Sequence, residues 1–215
     1  MLIRKDYTDK IEQYLKLNCN LLITGSKGSS KTATLQHVLN NYHNSVYVDC
    51  VETTTVFSII TEILRQYNIP TIRQACSFNE LIKSFSNLIE AKRHLIIALD
   101  NANQLGEKSK VFLILGKFLR HIQLIVIAEK DFLNYIDKRL VRRFVFAKIE
   151  FAPYSSLEML ELLKERYRLD EYMLAAITRE AKEDICVAFS IADKLSAIGN
   201  VTPAQFLKTL EELRL

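Results

Sequence analysis

The stretch ITGSKGSSKTATL, residues 23–35, lies between a short apolar run and an amphipathic one. With one exception it fits a phosphate-binding pattern of glycine, four free residues and Gly-Lys-Ser/Thr. Gly25, Lys31 and Thr32 occupy their places in this pattern, whereas Ser30 replaces the last glycine. In such loops, backbone N–H groups and the N-terminus of the following helix face the phosphates. The stretch therefore predicts a strand, a P-loop and a helix in succession.

Each polar residue of the loop has a chemical role in binding a nucleoside triphosphate. The Lys31 ammonium can neutralise phosphate oxygens, and the Thr32 hydroxyl can bind Mg²⁺. A buried acid is also needed to hold the metal, and Asp100 ends the apolar run LIIALD. The residues predicted to bind the nucleotide are Gly25, Ser26, Lys27, Gly28, Ser29, Ser30, Lys31, Thr32 and Asp100, of which Thr32 and Asp100 would also serve Mg²⁺. The alternative is a polar turn with an accidental Lys-Thr pair, since serine at position 30 gives up some of the freedom of glycine.

The residue after Asp100 bears on hydrolysis. It is Asn101, and an amide cannot accept a proton from an attacking water. We therefore predict no catalytic residue and expect binding with little or no hydrolysis. If hydrolysis does occur, Glu129 or a residue of a partner would have to supply the base.

Apolar runs alternate with amphipathic stretches as far as Phe151, which predicts an α/β fold with a five-stranded parallel sheet flanked by helices. The predicted strands are 20–24, 45–50, 94–100, 123–129 and 143–151. The predicted helices are 7–17, 32–41, 55–67, 78–91 and 109–120. Three helix starts carry cap signals, which are Thr8, the threonines before Val56, and Ser77 with Glu80 three residues later.

After Pro153 the pattern contains helices only, at 155–169, 170–182, 184–198 and 204–215. This change predicts a domain boundary. Residues 1–152 would form the α/β nucleotide-binding domain and residues 153–215 a small all-helical lid.

Composition narrows the class of protein. No apolar run is long enough to span a membrane, so we expect no membrane partner and an intracellular location. The four cysteines are widely scattered, which favours buried thiols over a zinc or redox site. Residues 108–150 carry ten Lys/Arg against four Asp/Glu. This basic belt could face DNA phosphates, the nucleotide of a neighbour, or water.

Several segments together resemble the initiator branch of the AAA+ ATPases, the family of the origin recognition complex subunits and the related helicase loader. Besides the P-loop they are SVYVDCVETTTVFSIITEIL, LDNANQL, IDKRLVRRFVF and EFAPYSSLEMLELLKERY. Three places, VDCVETTTVFSIITEIL, CSFNELIKSF and LIVIAEKDF, are most similar to the fifth-subunit group within that family.

The resemblance implies an AAA+ domain with a helical lid, ATP and Mg²⁺ bound at their junction, and a nuclear location. It implies assembly with other origin recognition complex subunits into a ring segment that encircles duplex DNA and helps to load the replicative helicase. Contact with the duplex would be to its phosphates. Arg143 and Arg139 match the arginine-finger positions, which reach the ATP of a neighbouring subunit. The segment 2–15 resembles the part that lies against the adenine.

Departures from the family pattern carry information too. Active members have glutamate in place of Asn101, and a phosphate-sensing arginine where Cys186 or Val187 stands. Glu129 or Lys130 occupies the place of a polar γ-phosphate sensor. These losses imply a static ATP that fixes a subunit contact.

Length is a further departure, because members continue into a winged-helix domain, which we do not expect within these 215 residues. The alternatives are an active AAA+ ATPase that loads a helicase or regulates transposition, a small-molecule P-loop kinase, and a scaffold without nucleotide.

Overall fold

The computed structural model describes residues 4–70 and 77–198, together with residues 205, 206, 208, 209 and 211. The chain divides into two compact units. The first comprises the residues up to Gly25 and Ser30–Phe151, and the second comprises Ser26–Ser29 and the residues from Ala152 onward. None of the helices in the described ranges is long and apolar enough to cross a membrane.

The first unit is built on a parallel sheet, as the alternating pattern predicts. The strands are β1 (Leu21–Gly25), β2 (Ser45–Asp49), β3 (Leu95–Asp100), β4 (Ile122–Ile127) and β5 (Ala147–Phe151), in the spatial order β2-β3-β4-β1-β5. All residues of β3 and β4 are buried, which explains why these two strands read as continuous apolar runs. The predicted five-stranded parallel sheet is confirmed.

Helices cover both faces of this sheet. They are α1 (Lys5–Lys16), α2 (Lys31–Leu39), α3 (Val56–Gln66), α4 (Phe78–Lys92), α5 (Lys108–Leu115) and α6 (Lys138–Phe144). Short 3₁₀ turns cover Ala102–Gln104, Gly116–Phe118 and Phe132–Tyr135. One apolar core joins α3, α4 and α5 to one face of the sheet, and a second joins α1 and α2 to the other.

Two of the predicted helix starts are confirmed by their hydrogen bonds. Thr55 caps α3 in a capping box with Ser58, and Ser77 caps α4 in a capping box with Glu80. In the second box, the Ser77 N–H donates to the Glu80 carboxylate at 2.7 Å. Each box satisfies backbone donors that a helix leaves unpaired at its N-terminus.

Two local predictions are wrong. Residues 143 and 144 belong to α6 and not to the fifth strand, because the arginine-rich run continues a helix that begins after Asp137. Thr8 does not cap α1, since the helix begins at Lys5 and the Thr8 hydroxyl donates to the Arg4 carbonyl one turn back. In both cases the polar side chains are compatible with more than one backbone state.

The second unit is helical in its described part. It contains α7 (Ser156–Arg166), α8 (Glu171–Glu180) and α9 (Ile185–Ile198). Their apolar faces, including Leu163, Ile177 and Leu195, are buried. Residues 205, 206, 208, 209 and 211 are also helical, while the rest of the predicted helix 204–215 lies outside the described residues.

Candidate functional site

The P-loop joins the carboxyl end of β1 to the N-terminus of α2. A Cβ added at Gly25, where φ is +147°, would lie 2.5 Å from the Phe151 carbonyl oxygen, so only glycine fits there. A Cβ at Gly28, where φ is +74°, would lie 2.1 Å from Asp184 Oδ1 within the second unit. At both positions a neighbouring group lies too close to the loop backbone for a side chain, which explains the two glycines. Asp184 is a neighbour of the loop that sequence reasoning missed.

Ser30, the exception in the pattern, adopts the left-handed conformation with φ +63° and ψ +25°. Glycine would adopt this conformation without strain, whereas serine pays about 1 kcal/mol. The loop nevertheless keeps its turn, since the Ser29 hydroxyl donates to the Ser26 carbonyl at 2.8 Å. The replacement therefore places a strained residue in a loop that is closed by a local hydrogen bond.

Lys31 begins α2 with its ammonium directed back along the loop. Its Nζ donates to the Gly25 carbonyl at 3.1 Å. This places a positive charge at the mouth of the loop, beside the N-terminus of α2. The arrangement suits an anionic group of phosphate size.

Asp100 is the centre of a polar corner at the end of β3. Its side chain is 1% exposed and accepts hydrogen bonds from the Thr32 hydroxyl at 2.6 Å and the Tyr47 hydroxyl at 2.8 Å. Its other oxygen accepts the backbone N–H of Asn101 at 2.7 Å. A buried carboxylate and a hydroxyl in contact are the oxygen donors that Mg²⁺ takes beside a nucleotide. The predicted pair Thr32 and Asp100 is thus brought together, and it fits the metal.

Tyr47 is the member of this corner that sequence reasoning missed. Burial, with the neighbouring Asp100 charge and the hydrogen bond to it, raises the pKa of Tyr47 well above its usual range. The phenol therefore stays protonated and donates to the carboxylate. The available signal was the parallel pairing of β2 with β3, in which Tyr47 lies opposite Ala98, two residues before Asp100.

The Asn101 backbone N–H belongs to this corner, whereas the Asn101 side chain turns toward β2. Asn101 has a positive φ of 53°, and its Nδ2 donates to Asp49 Oδ1 at 3.1 Å. The same Asp49 oxygen accepts the Val51 N–H at 2.9 Å. The Asp49 carboxylate thus lies beside position 101, where a catalytic acid is expected. It accepts a hydrogen bond from the Asn101 amide that occupies this position.

The segment after β4 is tied to other parts of the first unit. The Glu129 N–H donates to Asn103 Oδ1 at 2.7 Å. Asn103 is therefore a further residue at the edge of the site, and the sequence did not single it out. Lys130 forms an exposed ion pair with Glu150. Whether Glu129 or Lys130 senses a phosphate stays a prediction.

The two candidate finger arginines lie on α6, and both are exposed. Arg143 Nη2 donates to the Gly116 carbonyl at 3.1 Å. Because α6 leads into the amino end of β5, this arginine lies at the opposite end of the sheet from the P-loop, which follows the carboxyl end of β1. Arg143 therefore does not reach the P-loop of its own chain. A residue that binds the nucleotide of a neighbouring subunit must lie away from its own nucleotide site in this way.

The N-terminal segment forms α1, and the Tyr7 ring stacks on Phe151 with centroids 3.9 Å apart. The Arg4 N–H donates to Thr34 Oγ1 at 3.3 Å, so the start of α1 lies beside α2. Residues 2 and 3 of the predicted adenine segment lie outside the described residues. Contact with an adenine stays a prediction.

The expectation of four buried thiols is only partly correct. Cys50 is buried, Cys19 is half-buried and Cys186 is exposed, whereas Cys76 lies outside the described residues. Cys186 and Val187 open α9, and their N–H groups donate to Asp184 Oδ1 at 2.9 and 3.4 Å. Among the described residues, no group of three His, Cys, Asp or Glu side chains could hold a metal ion.

Comparison with known proteins agrees with this geometry. A family model described as AAA domain matches residues 18–179, well over half of the chain. The ORC1-type DNA replication protein 2 of Saccharolobus solfataricus is 27% identical over 173 residues, which cover 70% of this chain and 41% of that protein. The protein of the same name from Methanothermobacter thermautotrophicus is 23% identical over 209 residues, which cover 86% and 55%. The chain thus spans about half the length of these curated relatives.

Solved structures share the fold. Cdc6p from Pyrobaculum aerophilum superposes with a TM-score of 0.80 at 22% identity, over 98% of this chain and 67% of that one. The Aeropyrum pernix ORC1 protein in complex with DNA superposes with a TM-score of 0.84 at 15% identity, over 99% and 66%. The chain therefore belongs to the AAA family of P-loop proteins, on the initiator branch that includes the ORC1-type and Cdc6 proteins.

Proposed function

We propose that this chain binds ATP with Mg²⁺ and serves as a largely non-hydrolysing subunit of an origin recognition complex, in which the nucleotide stabilises a subunit contact. The observation that carries the proposal is the Thr32 hydroxyl 2.6 Å from the buried Asp100 carboxylate, at the end of a loop that presents Lys31. DNA replication is the role named for its curated relatives. An Aeropyrum pernix relative was solved with ADPNP and ADP.

Weak hydrolysis follows from the position after the magnesium acid. Asn101 offers an amide there, and its Nδ2 is engaged by Asp49. An amide cannot take the proton of an attacking water. A nucleotide that binds the folded chain and is not consumed stabilises it for as long as it stays bound.

The partners are proposed from the resemblance and from the relatives. One relative was solved in complex with DNA, and a Drosophila ORC with the same fold was solved bound to DNA. We infer that this chain acts beside other origin recognition complex subunits on duplex DNA. The curated relatives above are archaeal, so the likeness to the fifth-subunit group and the nuclear location both stay predictions.

The test is thermal unfolding of the chain with and without Mg-ATP, run beside a long incubation that measures released phosphate. ATP at a hundredfold excess over Kd stabilises by about 2.7 kcal/mol, which raises Tm by roughly 5 to 10 °C for a chain of this size. Lys31→Ala should abolish the rise, while the control Lys83→Ala, an exposed lysine of α4, should keep it. A rise with steady phosphate release would instead favour the active ATPase, and no rise in the wild type would refute the site.

The finger assignment has a separate test. Arg143→Ala should leave the Mg-ATP shift of this chain unchanged, because Arg143 lies at the other end of the sheet from the P-loop. It should weaken association with neighbouring subunits that carry ATP. Loss of binding at its own site would refute the assignment.

A further inference from the structure

The first unit is polarised in charge along the direction of its strands. We define the amino edge as the turns that lead into β2, β3, β4 and β5, residues 40–44, 90–94, 116–121 and 142–146. Apart from histidines, its charged residues are one acid and six cations, which are Glu90, Lys92, Arg93, Lys117, Arg120, Arg142 and Arg143. Because parallel strands begin at the same end of a sheet, these turns lie side by side.

Backbone and side-chain bonds confirm that the turns adjoin. The Leu95 N–H donates to the His121 carbonyl at 2.9 Å, which joins the turns before β3 and β4. Arg143 Nη2 donates to the Gly116 carbonyl at 3.1 Å, which joins the turns before β5 and β4. The cations of the amino edge therefore form one array.

At the opposite edge the loops after β2, β3 and β4 are acidic, whereas Lys31 follows β1. Residues 49–55, 100–107 and 128–131 carry six acids and one cation, which are Asp49, Glu52, Asp100, Glu107, Glu129, Asp131 and Lys130. The basic belt predicted from residues 108–150 is thus divided in space, since Lys108 and Lys110 follow β3 whereas Lys117 and Arg120 precede β4. The topology and not the sequence segment decides where the positive charge collects.

Helix ends account for only part of the array. Helix C-termini attract cations, and Lys92 in the last turn of α4 also lies over the Tyr67 ring at 4.7 Å. Arg143 is likewise engaged with a carbonyl. The other four, Arg93, Lys117, Arg120 and Arg142, are exposed, and within the described ranges no carboxylate pairs with them. Their charge is directed to solvent.

Arg93 also has an unfavourable backbone. It ends α4 with φ +59° and ψ −35°, a region in which a side chain is strained and glycine is the usual residue. The Arg93 N–H donates to the Ile89 carbonyl at 3.0 Å, but among the described residues its side chain forms no hydrogen bond or ion pair. A strained residue with an exposed cationic side chain is a candidate for a function of that side chain.

We propose that the amino edge binds the phosphate backbone of duplex DNA, at the end of the sheet opposite the ATP site. The array runs from β3 to β5, three strand spacings or about 14 Å, and duplex DNA presents one charge per ~1.7 Å of its axis. Four of the six cations are arginines, whose planar fork matches phosphate oxygens. The inference rests on duplex DNA as the partner in the proposed function, but it uses residues separate from this chain's own nucleotide site, and its test leaves Arg143 unchanged.

The test is fluorescence anisotropy of a labelled 40-base-pair duplex of random sequence with the full chain, over a salt series. Arg93→Glu/Arg120→Glu should weaken binding at least about tenfold at 0.1 M salt and reduce the salt slope by about two. The matched control Lys83→Glu/Lys138→Glu changes the net charge equally at two exposed lysines outside the amino edge, and it should weaken binding less than about threefold. Equal losses in both variants, or no loss in the first, would overturn the proposal.

Two further measurements separate the alternatives. Polyglutamate of equal charge should compete poorly with the duplex, whereas equal competition would indicate an acidic protein partner and reject DNA. The Mg-ATP shift of the edge variant should match the wild type. Absence of that shift in the wild type, with edge-dependent DNA binding retained, would refute the proposed ATP site while the amino edge stands.

Arg93→Gly separates binding from folding. Relief of the strained φ should leave Tm equal to or above the wild type, while DNA binding falls. A structural role for Arg93 predicts the reverse, a lower Tm with binding retained. That reverse result would show that Arg93 is not part of the DNA-binding surface.

Discussion

Asn101 Nδ2 donates to Asp49 Oδ1 at 3.1 Å, across the paired carboxyl ends of β2 and β3. The bond matters because position 101 is where hydrolysing relatives of the chain are expected to carry a carboxylate. A glutamate at 101 would face the carboxylate of Asp49, which is half-buried and already accepts the Val51 N–H. The missing base at position 101 is therefore linked to Asp49. A glutamate introduced there alone would be repelled by the Asp49 carboxylate.

This coupling predicts a pattern in a double-mutant cycle. Asn101→Glu should lower the free energy of unfolding by about 1 kcal/mol, since it loses a hydrogen bond and opposes two carboxylates. Asp49→Asn in the same chain should recover most of that loss, because an amide on β2 can donate to the new glutamate. Urea unfolding of the four proteins measures the coupling. Simple additivity of the two changes would show that the residues do not interact.

A second prediction concerns the exception in the P-loop. Ser30 holds φ at +63°, so Ser30→Gly should stabilise the chain by about 0.5–1 kcal/mol, or roughly 1 to 4 °C in Tm. The Mg-ATP shift should persist, because the backbone path of the loop is unchanged. Ser29→Gly is the matched control, since Ser29 does not need glycine's freedom and its hydroxyl bonds the Ser26 carbonyl. That control should destabilise, and stabilisation by both changes would deny a special strain at Ser30.

A third prediction concerns Tyr47. Tyr47→Phe removes one hydrogen bond to the buried Asp100 carboxylate, and it should cost about 1.5 kcal/mol of unfolding free energy. The Mg-ATP shift should remain, since Thr32 and the carboxylate still face each other. Tyr42→Phe is the matched control, because no protein group among the described residues bonds the half-buried Tyr42 hydroxyl. A loss of ATP binding in Tyr47→Phe would instead make Tyr47 part of the metal site.

Much of the fold follows from local sequence. The fully buried strands β3 and β4 gave continuous apolar runs, and the capping boxes at Thr55 and Ser77 marked helix starts through short-range hydrogen bonds. Such signals depend on neighbours a few residues away. The end of α6 was misassigned as strand because its C-cap is Val145 in the left-handed conformation, where glycine would have marked a helix end.

The site was predictable only where the motif is contiguous. The P-loop could be read directly, and Asp100 was found because it ends a buried strand. Tyr47, Asp49 and Asn103 were missed, since their roles arise from pairing between segments distant along the chain. The amino edge was missed for the same reason, because its cations come from separate turns that only the strand order assembles.

The last prediction uses the cysteines as reporters of the fold. Burial, with the Asp49 and Asp100 charges nearby, raises the pKa of the Cys50 thiol from 9.0 to about 12. Cys50 should therefore resist iodoacetamide at pH 8.5 in the native chain and react once the chain is unfolded, whereas the exposed Cys186 should react at once. Site-resolved mass spectrometry distinguishes the two, and equal native rates would contradict the buried corner.

The same shift has a pH consequence of definite sign. A raised folded pKa means that the folded chain keeps the Cys50 proton where the unfolded chain releases it. The stability linked to that proton is fully present below pH 9.0 and is lost as pH rises toward about 12. Cys50→Ala should therefore flatten the fall in unfolding free energy above pH 9.0, while Cys186→Ala should leave it unchanged. An unchanged slope in Cys50→Ala would show that another group, such as Tyr47, governs the alkaline loss.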